Sequence, residues 1–84
     1  MTFKYPNQEH AGSAMLAGEF NRWSTTDTPM KKLKDGSFSV TVSLEADCSY
    51  KFRYVLDKSV WVNDPEADEY AANEHGESNS VVIL

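Results

Sequence analysis

Eighty-four residues with a net charge of −5 make room for one small domain, 1–84, with a modest core. Apolar residues at 40% and charged residues at 25% are in the proportions of a folded protein, which excludes a disordered tail. The charge also excludes a nucleic-acid binder, because Lys31, Lys32 and Lys34 are flanked by Asp27 and Asp35 and form no basic stripe.

Cys48 has no second cysteine to pair with, and Met1-Thr2-Phe3-Lys4-Tyr5-Pro6 lacks the apolar core of a secretion signal. Both features point to a cytoplasmic location. No run approaches the roughly 18 apolar residues of a membrane-spanning helix. The acidic tract 64–77 carries Asp64, Glu66, Asp68, Glu69, Glu74 and Glu77 with no Lys or Arg, and so repels phosphates and anionic membranes. Neither nucleic acid nor membrane is an expected partner.

In chain order, Thr2 to Tyr5 alternates and stops at Pro6, which reads as a short edge strand. Ser13 to Glu19 reads as a second strand, small and apolar enough to be buried on both faces. Phe20 to Pro29 is a loop rich in turn formers, and Met30 to Lys34 a weak third strand. Lys34-Asp35-Gly36-Ser37 closes a hairpin onto Phe38, Val40, Val42 and Leu44, which alternate with Ser39, Thr41 and Ser43 as a half-buried strand. Tyr50, Phe52, Tyr54 and Leu56 then give a long strand an aromatic core face, with Lys51 and Arg53 exposed on the other. After the Asp57-Lys58-Ser59 turn, Val60 to Val62 pairs back, and Val81 to Leu84 forms the last strand. For 63–80, Asp64 as N-cap, Pro65 and Gly76 favour a helix. The apolar stripe of Ala67, Tyr70 and Ala71 is too thin to anchor one, so a long loop with at most one helical turn is expected. The sum is an all-β, antiparallel β-sandwich of about seven short strands.

Chemistry is hard to assemble from these residues. His10 and His75 stand in polar loops outside any catalytic motif, and Cys48 has no helix N-terminus to activate its thiol. One Cys and two distant His match no zinc spacing, and Asp64, Glu66, Asp68 and Glu69 lack the ligand spacing and central Gly of a calcium loop. No catalytic residue, metal or cofactor is expected.

What remains are Trp23 and Trp61, each flanked by turns. Two readings stay open: both fill the core, or both present flat apolar plates on which the C–H face of a sugar ring can stack. Lys51 and Arg53 would then offer donors to sugar hydroxyls; ordinary solvation is the alternative for a strand lysine.

Gly18-Glu19-Phe20-Asn21-Arg22-Trp23-Ser24, Tyr50-Lys51-Phe52-Arg53-Tyr54 with Asp57, Trp61, Asp64-Pro65, and Gly76 with Asn79 occur in an order and spacing that resembles the family-48 carbohydrate-binding modules. These include the glycogen-binding domain of the AMP-activated kinase beta subunit and the early-set domains of isoamylases and branching enzymes. The resemblance implies an immunoglobulin-like (early-set) sandwich that binds α-1,4-linked glucans, as oligosaccharide or polysaccharide, without catalysis. It implies that Trp23 and Trp61 stack on glucose, that Lys51 and Asn79 hydrogen-bond hydroxyls, and that Asp64-Pro65 is a structural turn. The sequence departs from that pattern in a turn longer by one residue before Trp61, and in His75 and Glu77, which stand where the kinase modules carry an apolar residue and a Thr. These departures bring it closer to small bacterial stand-alone early-set proteins. The alternative function is a protein-interaction module that docks on a glucan-metabolising enzyme or on another copy of itself.

Overall fold

The structure, a computed structural model, describes residues 1–73 and 76–84. The described residues form an all-β sandwich of eight strands: β1 Thr2–Tyr5, β2 Ala14–Gly18, β3 Lys31–Lys32, β4 Phe38–Thr41, β5 Ser49–Leu56, β6 Val60–Val62, β7 Glu69–Ala72 and β8 Ser78–Ile83. A small sheet has the order β1-β4-β3, and a larger one the order β2-β5-β8-β7 with β6 also on β5. All pairings are antiparallel.

The alternating pattern of β5 organises the larger sheet. Phe52, Tyr54 and Leu56 enter the core together with Phe3 and Tyr5 of β1, Ala14 and Leu16 of β2, Phe38 of β4 and Val82 of β8. The rings meet edge-on or tilted, with centroids 4.9 Å apart for Phe3 and Phe52, 5.6 Å for Phe52 and Tyr54, and 5.1 Å for Tyr5 and Tyr54. Each such pair contributes about 0.5–1.5 kcal/mol beyond its buried area. Phe20 joins them from the loop after β2, 5.7 Å from Phe3 and 6.0 Å from Tyr50.

Most strands fall where the pattern puts them, with four differences, the first being that the strand opened by Phe38 ends at Thr41 instead of running on through Leu44. The third strand pairs only at Lys31 and Lys32, because the chain then turns through Leu33 to Ser37, with Gly36 at φ 90° and the Ser37 amide donating to Asp35 Oδ1 at 2.9 Å. The last strand begins at Ser78, earlier than its apolar run. The acidic tract is not simply a loop: Glu69–Ala72 is a strand, paired from Glu69↔Val81 to Ala72↔Ser78. Its cause is the edge that β8 offers rather than anything in its own composition. Glu69 in this strand and the acidic residues before it then discourage further strands from adding to it.

The Asp64-Pro65 turn is the sandwich's polar anchor. The Asp64 amide donates to Ser80 Oγ at 2.8 Å, Ser80 Oγ donates to Asn63 Oδ1 at 2.9 Å, and the Tyr54 hydroxyl donates to Asp64 Oδ2 at 3.0 Å. Burial of the phenol, and then the Asp64 charge and hydrogen bond beside it, push the Tyr54 pKa well above its ordinary 10.0. The folded chain therefore keeps a proton that the unfolded chain releases. This contribution is complete below pH about 10 and declines above it, by about 1.4 kcal/mol per pH unit. In Tyr54→Phe the unfolding free energy measured by urea titration between pH 10 and 11.5 should fall less steeply with pH than in the wild type. Equal slopes would show that Tyr54 is not the responsible group.

Candidate ligand-binding face

On β5 the residues facing away from the core are Lys51, Arg53 and Val55. The ladders place Met15 and Trp61 on either side of Val55, Ala17 beside Arg53, and Val81 beside Lys51. The outer face of the larger sheet thus carries Trp61, Arg53 and Lys51 in one row, with Arg53 roughly 7 Å and Lys51 roughly 13 Å along β5 from the residue that pairs with Trp61. Asn79 lies two residues before Val81 on β8, on the same face, opposite Ala71. Trp61 is 38% exposed, Lys51 is exposed, and Asn79 is buried at 9%.

Trp23 is delivered to the end of β2 by a clasp. The single 3-10 turn Glu19–Asn21 follows the strand, and Asn21 folds back on it. Its Oδ1 accepts from the Gly18 amide at 3.0 Å, and its Nδ2 donates to Leu16 O at 2.8 Å and Thr28 Oγ1 at 3.0 Å. Glu19 Oε1 accepts the Lys51 amide at 2.7 Å, which continues the β2–β5 ladder with a side chain. Phe20 drops into the core, and the chain returns through Arg22 and Trp23, both left-handed at φ 58° and 59°, until the Trp23 amide donates to Gly18 O at 2.8 Å. Two successive non-glycine residues in this region cost about 1–2 kcal/mol each, an expense that clusters at functional sites. Trp23 ends half-buried, outside the hydrophobic core, so neither tryptophan is a core residue.

Arg53 corrects an expectation. It is not an exposed donor: its side chain is only 15% exposed and ties β5 to β6 and to the segment just before β8. Nη1 pairs with Glu77 at 2.8 Å just before β8, Nη2 donates to Trp61 O at 3.4 Å, and the guanidinium lies 5.8 Å from the Trp61 ring centroid. Arg53 Nε is buried with no hydrogen-bond partner among the described residues. The cation–π contact is worth about 0.5–1 kcal/mol, and with the backbone bond it restrains both the strand and the ring of Trp61. Glu77, which the family pattern marks only as a departure, is the counter-ion of this arrangement. His75, the other departure in that loop, lies outside the described residues.

Lys51, Trp61 and Asn79 therefore share a face, and Trp23 stands at its β2 end. Composition hid the roles of Asn21 and Arg53. An Asn beside a turn is a local signal for a backbone clasp, whereas the Arg53–Glu77 pair joins residues far apart in the chain and leaves no local trace. Among the described residues no group of three or more His, Cys, Asp or Glu side chains is placed to hold a metal ion, and the carboxylates of 64–69 do not converge.

An early-set β-sandwich with an indole, a guanidinium and an ammonium ranged along one outer face has the form of a binding module. The chain belongs to the family described as the glycogen recognition site of AMP-activated protein kinase, which matches it over residues 1–84. This is a family of carbohydrate-binding modules, so its coarse function is glucan binding. No curated protein matches the chain.

Proposed function

We propose that this domain binds α-1,4-linked glucans non-catalytically, by stacking glucose units on the outer face of the larger sheet. The observation that carries this is Trp61: an indole more than one-third exposed, held by Arg53 and set on the same face as Lys51. An exposed apolar plate with an ammonium further along the same face suits a ring whose faces are C–H and whose rim is hydroxyl. Trp61 supplies the central plate, Trp23 a second at the β2 end, and Lys51 and Asn79 supply hydrogen bonds to hydroxyls.

The face is open, which sets the affinity. Two stacked glucose units present roughly 22 heavy atoms, and about 0.3 kcal/mol per atom gives an upper limit near 6–7 kcal/mol. That corresponds to a dissociation constant of about 10 μM, and a shallow surface falls short of it, between tens of micromolar and millimolar. Titration with maltoheptaose and β-cyclodextrin, read by tryptophan emission, should saturate in this range. No response to either ligand at several millimolar overturns the proposal, and retention of a protein partner without glucan binding would favour the docking role instead.

A further inference from the structure

A groove of about 330 Å³ lies beside the proposed stacking face, lined by Ser13, Met15, Thr25, Thr26 and Lys58. Its floor belongs to the same sheet face. Met15 pairs with Val55, and Val55 pairs with Trp61, so groove and indole are separated by two strand spacings, roughly 9.5 Å. An oligosaccharide spans that distance and a single hexose does not.

Both walls are built before any ligand arrives. On one side Asp57 and Lys58 form a left-handed turn at φ 48° and 68°, closed by the Ser59 amide on Leu56 O at 3.0 Å. Asp57 Oδ1 accepts the amides of Gly12 and Ser13 at 2.8 and 3.1 Å, which locks the Lys58 turn to the Ser13 segment. On the other side Ser24 Oγ accepts the amides of Thr26 and Asp27 at 3.2 and 3.1 Å, and the Leu16 amide donates to Thr28 O at 2.9 Å. Pinned walls lower the ordering cost of binding.

The lining offers an apolar floor in Met15 and a rim of donors. Among the described residues, the Ser13 and Thr25 hydroxyls and the Lys58 ammonium have no hydrogen-bond or ion-pair partner, and no carboxylate lines the groove. A thioether and methyl groups beneath, with free hydroxyls and an ammonium around, match a neutral polyol ring better than a peptide or a lipid.

Resting on the glucan reading above, we infer that this groove is a further subsite that receives glucose units of the same chain that stacks on Trp61. Affinity should then rise with chain length until the chain reaches from Trp61 past Val55 to Met15, and level off beyond. Short glucans occupy only the Trp61 plate.

The test compares maltotriose and maltoheptaose on the intact chain, by calorimetry and by NMR of the Trp61 indole N–H and the Met15 methyl. Expected is a shift of the Trp61 signal with both sugars, a shift of the Met15 methyl with maltoheptaose only, and at least about fivefold tighter binding of maltoheptaose. In Lys58→Ala/Thr25→Ala, whose positions are both exposed, that affinity ratio should narrow by about threefold or more. A saturated Trp61 response to maltoheptaose with a stationary Met15 methyl, or an unchanged ratio in the double variant, overturns the subsite and leaves the glucan reading standing. No Trp61 response to either sugar overturns both.

Discussion

Trp61→Ala should lower the affinity for maltoheptaose by about thirtyfold or more while leaving the fold intact. A central aromatic anchor typically contributes 2 kcal/mol or more to binding, which equals that factor. Because the wild-type affinity is itself weak, the variant should show no saturation within the solubility of the sugar. The structural cost is small by comparison. Trp61 sits in the middle of the three-residue β6, is 38% exposed and lies outside the hydrophobic core. Losing its contact with the Arg53 guanidinium and some packing over Val55 should cost about 1 kcal/mol, a drop of roughly 4–8 °C in Tm for a domain of this size. Val60→Ala on the same strand is the control: Val60 is 50% exposed, and its side chain alternates to the other face from Trp61. If Trp61→Ala binds maltoheptaose like the wild type, or if Val60→Ala loses binding equally, the stacking plate is not Trp61.

Gly18→Ala should be the most damaging single methyl group in the chain. Gly18 has an extended backbone at φ −167°, so backbone conformation is not the difficulty. The difficulty is space. A Cβ at this position would stand 2.7 Å from the Lys51 carbonyl oxygen and 2.8 Å from two carbons of the Phe20 ring. The carbonyl belongs to the central strand and cannot move cheaply, so the ring, the 3-10 turn and the clasp built on Asn21 must shift instead. Overpacking of this kind costs about 1–3 kcal/mol, and a lost clasp hydrogen bond adds about 1 kcal/mol. A fall in Tm of roughly 10–20 °C by circular dichroism follows. The same displacement moves Trp23, so the variant should also bind glucan more weakly at temperatures where it remains folded. A melting temperature within a few degrees of the wild type would mean that the loop after β2 yields freely and does not fix Trp23.

These two residues show where sequence is informative and where it is not. The alternation of Phe52, Tyr54 and Leu56 announces a core strand, and because β5 is central, its neighbours follow from short turns and hairpins. Trp61 stays open between core and surface in the sequence, and it is the Val55↔Trp61 pairing on β5 that puts it on the outer face. Other features have causes that act over long distances. Glu69–Ala72 becomes a strand only because β8 lies alongside, and its acidic composition argues against strand formation on local grounds. Arg53 reads as a solvated strand residue until Glu77, from the segment before β8, and the Trp61 carbonyl of β6 close around it. The groove at Met15 needs two loops that never meet in sequence, one held by Asp57 and one by Ser24.

The segregation of aromatic residue types has an optical consequence. Every ring in the core belongs to Phe or Tyr, and both indoles lie outside it. Indole emission excited at its red edge should therefore respond to events at the surface and stay nearly silent to loosening of the interior. Tyrosine ellipticity in the near ultraviolet should do the reverse. A bound sugar and a melting core can thus be followed in one cuvette, without labels, as two separable signals.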